Sequence, residues 1–317
     1  MFKPIMSLLS PAGAGARLSI LIFHRVLSQP DPLFPDEVDA HRFDALCGWL
    51  ARWLHVLPLD VAVARLKAGT LPARAACITF DDGYADNYHV ALPILQRHRL
   101  TSTFFIATGF LDGGRMWNDT VIEAVRQTRL PELALDDVLG SAFARVPVGS
   151  TAGKRAAIQA IIGQLKYLPV AERAALTTRI AAKAQVVPPT DLMMTSAEVK
   201  ALRQAGMQIG AHTVSHPILA RLDRAHAHRE IVESKEVLEK LLGERVGLFA
   251  YPNGKPGVDY NTESVEVVRE LGFDAAVSTR WAASRAATDM FQMPRFTPWD
   301  RNRWRFGARL ATNLMQT

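Results

Sequence analysis

Three short segments carry side chains that could work on one substrate. In ITFDDGYADNY, residues 78–88, an apolar run delivers two adjacent carboxylates, Asp81 and Asp82, into a glycine-containing turn. Neighbouring side chains at a strand's end point in different directions, so one carboxylate can bind while the other reacts. Aspartate pairs are common in surface turns, but this pair directly follows a run that reads as a buried strand. In GAHTVSHP, residues 210–217, His212 and His216 stand four residues apart after a second apolar run. Imidazole is the preferred nitrogen ligand of zinc and related ions, and this spacing lets both rings converge on one ion. With Asp82 as an oxygen ligand the set is two histidines and one carboxylate. A structural zinc site closes its coordination with protein ligands, usually cysteines; this chain has only two cysteines, so open positions and hence catalysis are expected. In FAYPNGKPG, residues 249–257, Pro252 and Gly254 fix a tight loop whose backbone N–H near Asn253 could face a developing oxyanion. Taken alone, that third segment is an ordinary turn.

The elements that must position these residues alternate between strand-like and helix-like runs, the pattern of a parallel sheet with helices outside. Leu18–Phe23 ends at His24, Ala75–Phe80 at Asp81 and Asp82, Met207–Ala211 at His212 and Gly247–Ala250 at Tyr251, with Ser102–Ala107 between. The C-terminal ends of parallel strands lie on one face, where such folds place their active sites. Between them, Phe43, Leu46, Cys47, Leu50 and Leu54 form one apolar stripe after Asp39. Thr195 and Glu198 form a capping box for a helix that Gly206 closes; Asp223 and Gly243 bound a long helix, and Thr262 and Gly272 another. Residues 111–189 break the alternation: alanine-rich and helical, with no convincing strand, they are expected to be a helical insertion, either a lid or wall of the site or a remote buttress. Residues 300–317 are expected to form a C-terminal helix within a single 1–317 domain.

Composition excludes several classes. The chain has 317 residues and is 49% apolar, enough for a substantial α/β core, and its net charge of +6 is scattered except between Arg295 and Arg309. A nucleic-acid partner is therefore not expected. Cys47 and Cys77 read as two free thiols in a reducing compartment. Pro4 and Pro11 interrupt a signal-like N-terminus, and Leu18–Phe23 is too short to span a bilayer. A cytoplasmic protein is expected. The segment 301–315, with arginines among Trp304, Phe306, Leu310 and Leu314, is either a packed final helix or a peripheral membrane contact.

Together TFDDG and HTVSHP resemble the polysaccharide deacetylase family, the NodB-homology carbohydrate esterases, over residues 18–298 without the insertion. The resemblance implies a distorted (β/α)7 barrel and a divalent metal, usually zinc, with Asp82, His212 and His216 as ligands and Asp81 as general base. Mixed nitrogen and oxygen ligands would also accept cobalt or nickel. FHRV at residues 23–26 and the stretch 58–87 further resemble the branch acting on poly-N-acetylglucosamine exopolysaccharides. The implied reaction removes an N-acetyl group from an amino sugar in a polysaccharide or a glycan-biosynthesis intermediate. Two other readings stay open: hydrolysis of another C–N amide, in a formamido sugar or cyclic ureide, and a catalytically silent glycan-binding module.

The chain departs from the family at two places. The family's Arg-x-Pro-Tyr is here Ala250-Tyr251-Pro252-Asn253, and Arg295 in FQMPRF could replace the missing arginine beside the base. The family's late histidine has no match after His228; His24 stands in as general acid, or is a structural histidine. Trp117, Tyr251, Trp281 and Trp299 are candidates to stack on a sugar or to sit in the core.

Overall fold

In the computed structural model, which describes residues 2–316, the strands are β1 Ser19–Phe23, β2 His55–Val56, β3 Ala75–Phe80, β4 Thr103–Ile106, β5 Glu132–Leu133, β6 Val146–Pro147, β7 Gln208–Ala211, β8 Leu248–Ala250 and β9 Ala275–Val277. Seven of them form one sheet in the order β1-β3-β4-β7-β8-β9, with β2 also on β3, and every pairing in it is parallel. β1, β3, β4, β8 and β9 are buried at every residue, as a sheet covered on both faces requires.

Residues 293–296 join the two ends of this sheet. Met293 N donates to Ala276 O of β9 at 2.9 Å and Ser278 N to Met293 O at 2.8 Å, while Phe296 N donates to Ile20 O of β1 at 2.7 Å and Ile22 N to Phe296 O at 3.0 Å. The sheet curls accordingly, giving the distorted (β/α)7 arrangement with helices around it. Register levels the strand ends: Phe23 pairs with Phe80, Phe80 with Phe104, Ile106 with Ala211 and Ala250 with Val277. The residues that follow these strands therefore emerge on one rim.

Helix Ala40–Trp53 shows how the core is built. Asp39 caps it by accepting from Arg42 N at 3.0 Å, and its stripe Phe43, Leu46, Cys47 and Leu50 is wholly buried. Phe43 meets the rings of Phe23 and Phe80 edge-on at 5.2 and 5.7 Å, and Phe80 stacks on Phe104 at 4.8 Å. Truncating such a ring costs about 3–5 kcal/mol, so the same residues that fill the core fix the strand whose end carries Asp81. Thr195 and Glu198 form their capping box, and Asp223 and Gly243, at φ 71°, bound the helix Arg224–Leu242. The helix Thr262–Glu270 is capped one residue earlier than the sequence suggests, by Asn261, which accepts from Ser264 N.

The chain divides into two compact units. One comprises the residues up to 29, 36–112 and those from 193 onward, and holds the seven-stranded sheet; the other comprises 30–35 and 113–192. The second unit packs helices Trp117–Gln127, Thr151–Leu165 and Val170–Lys183 on a core of its own that includes Leu33, Val121, Leu133, Ile161 and Ile180. It also holds the antiparallel pair β5–β6, whose two-residue strands are too short for any alternation to reveal.

Cys47 and Cys77 are buried and unbridged, and burial raises both thiol pKa values. The final helix runs Arg303–Met315, with residues 1 and 317 outside the described residues. Phe306, Leu310 and Leu314 are buried in the core, and of the four apolar residues singled out there only Trp304 is exposed. No helix among the described residues is long and apolar enough to cross a membrane.

Candidate active site and metal centre

β3 delivers Asp81 and Asp82 to the rim with only 3% and 7% of their surface exposed. Asp82 has φ 78° and Gly83 φ 91°, a left-handed turn that a non-glycine residue adopts at a cost of about 1–3 kcal/mol. Two bonds hold it there: Ala107 N donates to Asp82 O at 3.2 Å and Met194 N to Gly83 O at 2.9 Å. The turn sends the two carboxylates to different partners.

Asp81 meets Arg295. Nη1 donates to Oδ1 and Nη2 to Oδ2, both at 2.7 Å, while Nε donates to Ser278 O at 2.9 Å and Nη1 also to Thr79 Oγ1 at 3.2 Å. Arg295 is 1% exposed, and the segment that bridges β9 and β1 places it. Burial pushes the Asp81 carboxyl up, but the charges of Arg295 and His212 outweigh it and hold the group below the usual carboxylate range.

Asp82 meets the histidines. His212 Nε2 and His216 Nε2 lie 3.3 and 3.4 Å from Asp82 Oδ1, their ring centroids 4.9 Å apart. Yet Asp82 Oδ1 is buried without a hydrogen-bond partner. His212 Nδ1 lies 2.7 Å from Ala250 O; a carbonyl only accepts, so Nδ1 carries the proton and Nε2 is left to face Asp82. Burial alone would lower the His212 pKa, but Asp82 and Asp81 reverse this and raise it; at His216 burial wins and lowers it to about 4. Burial likewise pushes the Asp82 carboxyl up, and the two facing imidazoles overcome that and lower it. One ligand atom from each of the three residues lies within 4.8 Å of the others. An orphaned carboxylate oxygen facing two imidazole nitrogens is a donor set that fits a divalent cation.

The loop bearing His216 is braced. Glu230 Oε2 accepts from Val214 N at 3.0 Å and Ser215 N at 2.8 Å, its Oε1 accepts from Ser215 Oγ at 2.6 Å, and Thr213 Oγ1 accepts from His216 N at 3.1 Å. Thr213 and His216 have φ 64° and 52°, so these bonds hold strained backbone. Sequence reasoning missed Glu230, because a carboxylate in a long charged helix gives no sign of which loop it faces.

At the end of β8, Tyr251 N donates to Val277 O at 3.2 Å, Pro252 has no N–H, and Asn253 N–H makes no hydrogen bond among the described residues. Asn253 has φ 57°; its carbonyl accepts from Thr279 Oγ1 at 3.0 Å. Of the three residues expected to contact substrate here, only Asn253 presents a free amide. Tyr251 is corrected: its ring is fully buried, stacked at 3.8 Å on Tyr260, and its hydroxyl donates to Phe291 O at 3.0 Å.

His24 follows β1 and is exposed; its carbonyl accepts from Asn87 Nδ2 at 2.9 Å, and the residue lies close enough to Asp81, Asp82 and His216 to act on them electrostatically. Arg25 Nε and Val26 N donate to Asp86, tying this stretch to the turn after Asp82. Trp117 lies in the second unit beneath the Arg173 guanidinium, 4.7 Å away. Trp281 is half-buried beside Phe296, whereas Trp299 is 57% exposed.

A curled parallel sheet with this rim defines a class of hydrolase, and comparison with known proteins agrees. The sequence model of the polysaccharide deacetylase family matches residues 68–131 and 153–276, and the chain belongs to that family. It is thus a carbohydrate deacetylase. The protein YxkH of Bacillus subtilis (strain 168) is 20% identical over 287 residues, 88% of this chain and 71% of that one. Two solved structures share the fold. The Streptococcus pyogenes deacetylase PplD, in complex with acetate, is 20% identical with a TM-score of 0.62, covering 94% of this chain and 98% of its own. IcaB from Ammonifex degensii is 16% identical with a TM-score of 0.59, covering 96% and 98%.

Proposed function

We propose that the protein hydrolyses the N-acetyl amide of an amino sugar in a polysaccharide or glycan-biosynthesis intermediate, with a divalent metal on Asp82, His212 and His216 and with Asp81 as general base. One observation carries this reading: a buried, unpartnered Asp82 oxygen faces two imidazoles while the adjacent carboxylate is reserved by an arginine.

When bound, such a cation polarises the acyl carbonyl and acidifies water, and zinc, cobalt or nickel would suit the nitrogen and oxygen donors. Asp81 takes the proton of the attacking water. Its pair with Arg295 keeps it ionised and aimed, although the same pairing reduces its intrinsic basicity. Asn253 N–H donates to the developing oxyanion. The C–O bond to water forms, the C–N bond breaks, and the amine leaves with a proton from His24 or from Asp81 itself. Ala250 O fixes the tautomer of His212, so that Nε2 stays available as a ligand.

The test is acetate release by metal-loaded protein from monomeric, lipid-linked and oligomeric N-acetylated glucosamine. Acetate with an equal amount of free amine is expected. Formate from a formamido sugar, or a ring-opened ureide, in place of acetate would move the reading to another C–N amide; glycan binding without any product would reduce the protein to a binding module.

A further inference from the structure

Beside His24 lies a cleft of about 650 Å³, lined among others by His24, Asp36, Glu37, Trp299, Arg301 and Arg305. Its size falls in the roughly 300–1,000 Å³ range of ligand sites, and His24 places one end of it at the metal-binding rim. None of its residues is needed to bind the metal or to activate water.

Trp299 in its wall is exposed but held. The Arg309 guanidinium sits 4.6 Å from the Trp299 ring and 5.0 Å from the Phe296 ring, between the two. Arg309 is itself fixed by Asp300 and by Thr297 O. From the other side Arg42 donates to Trp299 O and, at 2.9 Å, to Asp36 O, so one guanidinium ties both walls together. An indole left 57% exposed, with Arg309 against its ring and Arg42 on its carbonyl, forgoes the stabilisation of full burial, and it is already oriented for a flat apolar partner.

Charge selects the partner. Arg25 is paired with Asp86 and Arg301 with Asp36, and Arg305 shares Asp300 with Arg309. Glu37 has no ion-pair partner among the described residues, and every arginine of the lining already faces a carboxylate. A nucleoside diphosphate or other anionic handle would have to displace Asp36 or Asp300 from these arginines and would face the unpaired Glu37. A pyranose offers a C–H face to the indole and hydroxyls to Asp36 and Glu37.

We infer that this cleft is a subsite for a neutral sugar ring adjoining the one that is deacetylated, with Trp299 as its stacking platform, so that the enzyme selects oligomers over monomers and over nucleotide-linked sugars. The inference rests on the deacetylase reading above.

The experiment compares wild-type, Trp299→Ala and Trp299→Phe on N-acetylglucosamine and its oligosaccharides of increasing length. For wild-type, kcat/KM rises with length. In Trp299→Ala the ratio of oligomer to monomer kcat/KM falls by about tenfold, the size of one good aromatic contact, chiefly through KM; Trp299→Phe restores part of it. Equal ratios in wild-type and Trp299→Ala overturn the subsite. If wild-type releases no acetate from any substrate, the deacetylase reading fails instead, and the subsite is judged by oligosaccharide titration of tryptophan fluorescence: loss of binding in Trp299→Ala supports it, and equal binding overturns it.

Discussion

Asp81 and Arg295 stand 214 residues apart in the chain and meet as a two-point ion pair with both contacts at 2.7 Å. The pair lies inside the curled sheet, and the extended segment that carries Arg295 also joins β9 to β1. Closure of the fold and orientation of the proposed base thus depend on the same few residues.

Replacing Arg295 by methionine leaves Asp81 buried without its cation. Breaking a buried pair by removing one partner costs about 3–5 kcal/mol, and chemical denaturation at neutral pH should show a loss of that order. Because the folded Asp81 carboxyl lies below its unfolded value, the pairing stabilises above the unfolded pKa and is lost as pH falls through the folded one. The gap between wild-type and variant should therefore narrow in acid. The acidic limb of kcat/KM should move to higher pH.

Asp81→Asn preserves shape but removes the proton acceptor. Turnover should fall by roughly 10²–10⁴-fold while bound metal, measured by atomic absorption, stays at the wild-type ratio. Normal turnover in this variant would refute the base assignment.

Glu230 acts through the loop that carries His216. Glu230→Ala frees the amides of Val214 and Ser215, and metal affinity measured by competition with a chelator should weaken about 10–100-fold. Glu230→Gln keeps a carbonyl oxygen for those amides and should recover most of the affinity. Equal losses in both variants would show that only the charge matters.

The Asn253 loop offers a backbone test. Asn253→Gly keeps the N–H and suits φ 57°, so kcat should stay within a few-fold of wild-type. At Gly254, φ is 73° and a Cβ would come within 3.0 Å of Thr279 N and 3.1 Å of Tyr251 O. Gly254→Ala should shift the loop, lowering kcat more than it raises KM.

What could be read from sequence follows from what is local. Apolar runs ending at His24, Asp81 and His212 predict strand ends on one rim, because parallel strands place them there, and Thr195 with Glu198 predicts a cap that forms from neighbours alone. Long-range facts were less visible. Nothing in FAYPNG says that the Tyr251 ring turns away to stack on Tyr260. The bridging segment at residues 293–296 is short and contains Pro294, so it does not read as part of a sheet. That residues 30–35 group with 113–192 depends on packing that no periodicity records.

The most direct test is anomalous diffraction from crystals saturated with zinc. The account predicts one strong peak about 2.0–2.2 Å from Asp82, His212 Nε2 and His216 Nε2, with Asp81 beside it and still paired to Arg295. Saturated crystals with no density at that position, or with the metal held by other residues, would contradict it.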